Sequence, residues 1–266
     1  MDKLHGVRLK RERARNQIEV LKGQIGTFLE TGPYGASVNF NGDTGELTIH
    51  AKLKSRADPM WGVQAGEIIH NLRSALDHTV NHLVIPNPRS KNQFPIFKSV
   101  GWFEQDGVCK FLNGASSKAI DLIRSEQPFP KEDGGTGEGD KSPLWHLKEL
   151  SDADKHRLIH ITGAMLQSFQ FDLAELKADA KIRKIVRRGP GPMEQDAILV
   201  RALFEGFREW PFTNPEVYCK LATSVTFDQG APVAGWWEVI GTLIDIANRT
   251  DRILRRMAEE IFETEL

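Results

Sequence analysis

Cysteine is nearly missing from this sequence: Cys109 and Cys219 are the two in 266 residues. They are too few and too far apart for a Cys-x-x-Cys unit or a disulfide framework, which favours a reducing compartment. No uninterrupted apolar run approaches the roughly 20 residues of a bilayer-spanning helix. The opening Met1-Asp2-Lys3-Leu4-His5 has no apolar signal-peptide core. The expectation is a cytoplasmic protein with no membrane partner. Charge of one sign is also lacking, since 35 Lys+Arg against 36 Asp+Glu leave a net charge of -1. That balance excludes a protein that grips nucleic acid by bulk charge and leaves room only for a local basic patch. A phosphate-binding P-loop, a Gly-x-Ser-x-Gly elbow, a cysteine nucleophile and internal repeats are absent as well. What is present is 40% hydrophobic, 27% charged and 8% aromatic, an ordinary globular composition in a chain long enough to bury a core.

The pattern along the chain predicts an α+β fold in a single domain over 1–266. Its helical core comes from 1–30, 58–84, 116–167 and 233–264, and its β elements from 36–53 and 168–228. Ile18, Leu21, Ile25, Phe28 and Leu29 recur at helical spacing up to Thr31-Gly32-Pro33. Val38-Asn39-Phe40 and Leu47-Thr48-Ile49 alternate on either side of Asn41-Gly42-Asp43-Thr44-Gly45, a hairpin signature. Pro86 and Pro88 end the second helix. Phe94-Pro95-Ile96-Phe97 and Trp102-Phe103 read as a wrapped apolar loop, and Ser116 or Ser117 caps a short helix. Residues 127–142 look too polar and glycine-rich to pack, as a mobile linker or lid. From Ser142-Pro143 a helical text runs to about Gln167, with a break near Leu150. Phe169-Gln170-Phe171, Ile198-Leu199-Val200 and Ala222 to Phe227 predict a small antiparallel sheet, with a Gly189-Pro190-Gly191-Pro192 turn.

The helix from Glu67 to Val84 carries the strongest chemical signal. At about 100° per residue, Ile68, Ile69, Leu72, Ala75, Leu76, Val80 and Leu83 share one face. Glu67, His70, Asn71, Ser74, Asp77, His78, Asn81 and His82 share the other. Most of these lower helix propensity relative to Lys, Gln or Arg. Such a face is either half-buried against another helix with its polar groups paired, or the wall of a binding or catalytic site. A second cluster, Asp152-Ala153-Asp154-Lys155-His156-Arg157 with His160, gathers acid, base and imidazole within two turns. It is a charged helix start with local ion pairs, or a second wall. His78 and His82, like His156 and His160, stand at i,i+4 on one helical face, so two packed helices would bring their polar faces into one pocket.

The string Gly66-Glu67-Ile68-Ile69-His70-Asn71-Leu72-Arg73-Ser74-Ala75-Leu76-Asp77-His78, with Asp154-Lys155-His156-Arg157 downstream, resembles a group of uncharacterised bacterial proteins. These carry His-Asn-Leu-Arg-Ser-x-Leu-Asp-His and Asp-Lys-His-Arg. Arg73 and His78, with four residues between them, are similar to the Arg-x4-His motif of the HEPN superfamily of helical ribonucleases and nucleotide-binding domains. The resemblance implies metal-independent cleavage of RNA, typically at a homodimer interface. It implies no cofactor and casts His78 as general acid or base and Arg73 as phosphate clamp. His70, Asn71, Asp77 and Glu67 would complete the catalytic group, with Asp154, Lys155, His156 and Arg157 on the substrate. On a straight helix Arg73 and His78 lie about 140° apart, so sharing a site requires the arginine to curl round. The run Lys181, Arg183, Lys184, Arg187 and Arg188 either tracks a nucleic-acid backbone or is the solvated face of a strand pair.

Two other classes fit the same residues. The paired histidines with Glu67, Asp77, Asp152 and Asp154 offer nitrogen and oxygen ligands to a metal enzyme, although only Glu67 and His70 match the Glu-x-x-His unit of di-iron bundles. A non-enzymatic helical scaffold or partner-binding protein would instead bury those histidines and hydrogen-bond them fully.

Overall fold

A computed structural model describes residues 2–84, 91–156, 159, 161–171, 176–189, 191–206, 208–213, 219–227 and 238–266. The fold is α+β, as the periodicities predict. The chain divides into two compact units: residues 1–23, 59–160 and 229–266, and residues 24–58 and 161–228.

The first unit is helical. Its elements are α1 (His5–Glu30, up to Gly23), α2 (Met60–Leu83), α3 (Val100–Trp102), α4 (Ser117–Ser125), α5 (Pro143–Asp154) and α6 (Val239–Glu260). The predicted apolar face of α2 is its core face, with Ile68, Ile69, Leu72, Ala75, Leu76 and Val80 fully buried. Helices α2, α5 and α6 pack on one another. Phe94, Ile96 and Phe103 are buried as a wrapped apolar stretch should be, and Phe103 continues α3 into a wide π-helical turn to Phe111. The residues expected to end α2, Pro86 and Pro88, and the first residues of the predicted last helix, 233–237, lie outside the described residues.

Two buried carboxylates tie this unit together. Asp251 of α6, its side chain 5% exposed, accepts from Nε of Arg11 at 2.9 Å and Nε of Arg15 at 2.8 Å on α1. Glu126, just after α4, accepts from Arg249 and Arg256 of α6. Carboxylates this buried survive only where charged donors replace the water they lose.

The second unit is built on strands. β1 (Tyr34–Asn41), β2 (Glu46–Leu53), β4 (Ile182–Arg187) and β6 (Ile198–Phe204) form an antiparallel sheet in the order β1-β2-β6-β4. β3 (Ile161–Phe171), β5 (Gly191–Pro192) and β7 (Cys219–Phe227) form another in the order β5-β3-β7. Alternation buries Leu47, Ile49, Val200, Ala202 and Phe204 on one face of the larger sheet. The predicted hairpin turn is present. Asn41 Oδ1 accepts from the amides of Asp43 and Thr44, and a Cβ on Gly42 would overlap the Arg208 carbonyl group, 3.3 Å from its carbon.

Two sequence expectations are corrected. The helical text to Gln167 stops at Asp154, and a strand begins at Ile161. The apolar residues at 158, 159 and 166 fit a helix, but Ile159, Ile161 and Thr162 are β-branched and lose rotamer freedom there. Residues 127–142 are folded rather than loose. Gln127 and Phe129 are buried, two 3-10 turns cover Lys131–Asp133 and Gly139–Lys141, and the Phe129 ring meets Phe103 edge-on at 5.8 Å. The amides of Gly134, Gly135, Thr136, Gly137 and Gly139 all donate to carbonyls between Gln127 and Lys131, so the glycines make a tight wrap and offer no amide cradle to a phosphate.

Burial lowers the pKa of His146 on α5 below the ordinary 6.5, against the opposing pull of the Asp140 carbonyl and the charges of Asp245 and Asp140. Burial, then the charges of His78 and Lys3, lowers that of His82. Both imidazoles therefore take up a proton at lower pH in the fold than in the unfolded chain, where the ordinary value is 6.5. The unfolded state binds more protons as pH falls through that value, so stability is present above it and declines below it. Melting temperatures measured from pH 8 to 5 are expected to drop below about pH 6.5, with a shallower fall in His146→Gln. Asp251→Ala, which strands two partly exposed arginines, is expected to cost about 2 kcal/mol in urea unfolding.

Candidate functional site

The two sequence motifs meet at one point. Gly66 opens the motif on α2, and the carboxylate of Asp154, in the last turn of α5, lies directly over it. A Cβ at position 66 would overlap the Asp154 carboxylate and stand 2.8 Å from its Cγ. Beside this contact opens a cleft of about 620 Å³ lined by Arg13, Gln17, Gly66, Glu67, His70, Asn71 and Asp154. Four of the residues expected at the site, Glu67, His70, Asn71 and Asp154, thus share it.

Within the cleft the polar groups differ in freedom. Gln17 of α1 donates to Glu67 at 2.8 Å and accepts from Asn71 Nδ2 at 2.9 Å, while Lys10 donates to Asn71 Oδ1 at 3.1 Å. This ladder from Lys10 through Asn71 and Gln17 to Glu67 fixes α1 against α2. His70 is exposed to the cleft. Burial raises the Asp154 carboxyl above its ordinary value, and the charge of nearby His70 pulls it partly back. Arg13 completes the lining with a guanidinium. An imidazole, a carboxyl that keeps its proton longer than usual and a forked cation therefore face one space.

The remaining expected residues go elsewhere. Arg73 donates to the Phe94 carbonyl at 2.7 Å and lies 3.3 Å from Asp77, whose Oδ1 accepts from the Phe94 amide at 2.8 Å. The pair clamps the chain at Phe94. Arg73 also lines a narrower cleft of about 220 Å³ with Phe97, Phe111, Lys148, Asp152 and Lys155. Asp152 is partly buried, which would raise its pKa, but hydrogen bonds from Lys148 and Lys155 lower it overall. His78 lies against Gly6 of α1 and 3.4 Å from Ser74 Oγ. Arg73 and His78 thus have different neighbours, and the arginine does not curl round. Lys155 and His156 are exposed at the end of α5, and Arg157 and His160 lie outside the described residues.

Among the described residues, no three His, Cys, Asp or Glu side chains gather as metal ligands would. No helix among them is long and apolar enough to cross a membrane. Sequence reasoning missed Arg13, Gln17 and Lys10, which read as the charged side of an amphipathic helix. Their spacing of three and four is the signal that places them on one stripe. No family model, curated protein or solved structure matches this chain.

The Gly66 contact gives a direct test. In Gly66→Ala the added methyl displaces a short side chain at the surface of the cleft, at an expected cost of about 1 kcal/mol. Carboxyl chemical shifts followed through a pH titration are expected to place Asp154 above the ordinary 3.8 in the parent and back near that value in the variant.

Proposed function

We propose that the cleft at the α2–α5 contact is the acid–base site of a ribonuclease acting without a metal. The observation that supports this reading is the convergence of His70, Asp154 and Arg13 on one open cleft. Imidazole is the side chain that ordinarily titrates near neutral pH, so His70 takes the proton of a ribose 2′-hydroxyl. The 2′-oxygen then attacks the adjacent phosphorus. Arg13 offsets the charge gathering on the non-bridging oxygens. Asp154, which burial favours in its protonated form, gives its proton to the departing 5′-oxygen. The products are a 2′,3′-cyclic phosphate and a 5′-hydroxyl end.

This keeps the activity class suggested by the resemblance and moves its centre. Arg73 and Asp77 act on the main chain at Phe94, and His78 packs against α1, so all three fall to supporting roles. A scaffold reading draws on the same structure, because Glu67, Asn71, Arg73 and Asp77 are all engaged by other residues of the chain.

The deciding assay is cleavage of labelled RNA in EDTA. His70→Ala and Arg13→Ala are each expected to lose at least 100-fold in rate, and Asp154→Asn to lose the fall in rate at higher pH that a protonated acid imposes. Arg73→Lys and His78→Gln are expected to retain most activity. Loss confined to those last two variants would return the centre to the Arg-x4-His pair, and no cleavage by the folded parent would leave the scaffold.

A further inference from the structure

The second unit carries a feature that the cleft does not use. β4 is the last strand of its sheet, and its outer edge pairs with no other described strand. Lys181, Arg183, Lys184, Arg187 and Arg188 are all exposed, and no carboxylate interrupts the run from 181 to 188. Among the described residues the side chains of Lys181, Arg183, Lys184 and Arg187 form no ion pair. Other cations of the same unit do: Lys52 with Asp196, Lys177 with Glu209, and Arg201 with Glu46. In a chain of net charge -1, this strand is a local concentration of unneutralised positive charge.

Edge strands often carry a lysine or a bulge to discourage pairing with other chains. β4 has both. Its register slips between Ile182, opposite Phe204, and Lys184, opposite Leu203, leaving Arg183 as the extra residue. Either device suffices to guard an edge, so three further cations exceed that need. Val186, 51% exposed, stands between Lys184 and Arg187 and adds an apolar contact of the kind a sugar ring makes. Six residues at about 3.3 Å each give a rail of roughly 20 Å, long enough to meet several successive phosphates.

We propose that β4 binds the sugar–phosphate backbone of single-stranded RNA. The choice of RNA over another polyanion rests on the ribonuclease reading above; the charge complementarity does not. Phosphate contacts of this kind carry no sequence preference and release counterions, so affinity falls with salt in proportion to their number.

The test is fluorescence anisotropy of a labelled single-stranded RNA of mixed sequence over a range of salt, with the full chain. The comparison is a variant in which Lys181, Arg183, Lys184 and Arg187 are each changed to Gln, its fold checked by circular dichroism. Four phosphate contacts predict a log–log salt slope of about -3 for the parent. The variant is expected to lose most of that slope and at least 100-fold in affinity at low salt. Equal affinity and slope in parent and variant would overturn the rail, as would binding of the parent to phosphatidylserine vesicles but not to RNA. Cleavage, assayed separately, distinguishes the two readings. RNA binding lost in the variant supports the rail even where no form cleaves, and cleavage with unchanged binding overturns the rail alone.

Discussion

The central constraint on the helical unit is that α2 has neighbours on more than one face. One side buries Ile68, Ile69, Leu72, Leu76 and Val80; the other meets α1, the chain at Phe94 and the end of α5. A polar residue in that setting gains from a partner, because an unpaired buried group costs about as much as several good contacts return, although Gln64 Oε1 and His82 Nδ1 are buried without a hydrogen bond. Asn71 and Glu67 find theirs in Lys10 and Gln17, and Arg73 and Asp77 find theirs in the Phe94 main chain. What looks in the sequence like one polar face is divided among three partners. His70 is exposed to the cleft, and Glu67 beside it is held by Gln17.

The same logic of replaced water governs Asp251 and Glu126. Each is surrounded by arginines from a different helix, so the attraction that holds the helices together also requires them to be present together. Geometry of this kind specifies how α1, α4 and α6 pack. Held on α6 in this way, α1 presents Arg13 and Gln17 to the cleft that α2 and α5 complete.

Much of the fold was legible because its elements repeat their apolar residues at the right period. The core face of α2, the hairpin around Gly42 and the extent of α1 followed from spacing and turn residues alone. The end of α5 did not. Leu166 satisfies a helical spacing and belongs equally to an extended alternation, and the choice between them is made by pairing with β7, a strand distant in sequence. The glycine-rich stretch misled for a related reason: composition reports polarity, but Phe129 anchors the wrap by burying one ring. At the site, the residue types were readable and their grouping was not. Arg73 sits two positions from Asn71, yet the turn of the helix sends them to different partners, and Arg13 carries no local sign that it faces His70.

The absence of a side chain at Gly66 links two stretches that are remote in sequence. The Asp154 carboxylate occupies the volume in which a Cβ at position 66 would stand, so each residue is sterically permitted by the other. Along a lineage, a side chain gained at position 66 has to turn the acid at 154 aside, and a shorter residue at 154 removes that cost. The two motifs are thus coupled through one contact, and an alignment of related chains should show positions 66 and 154 varying together.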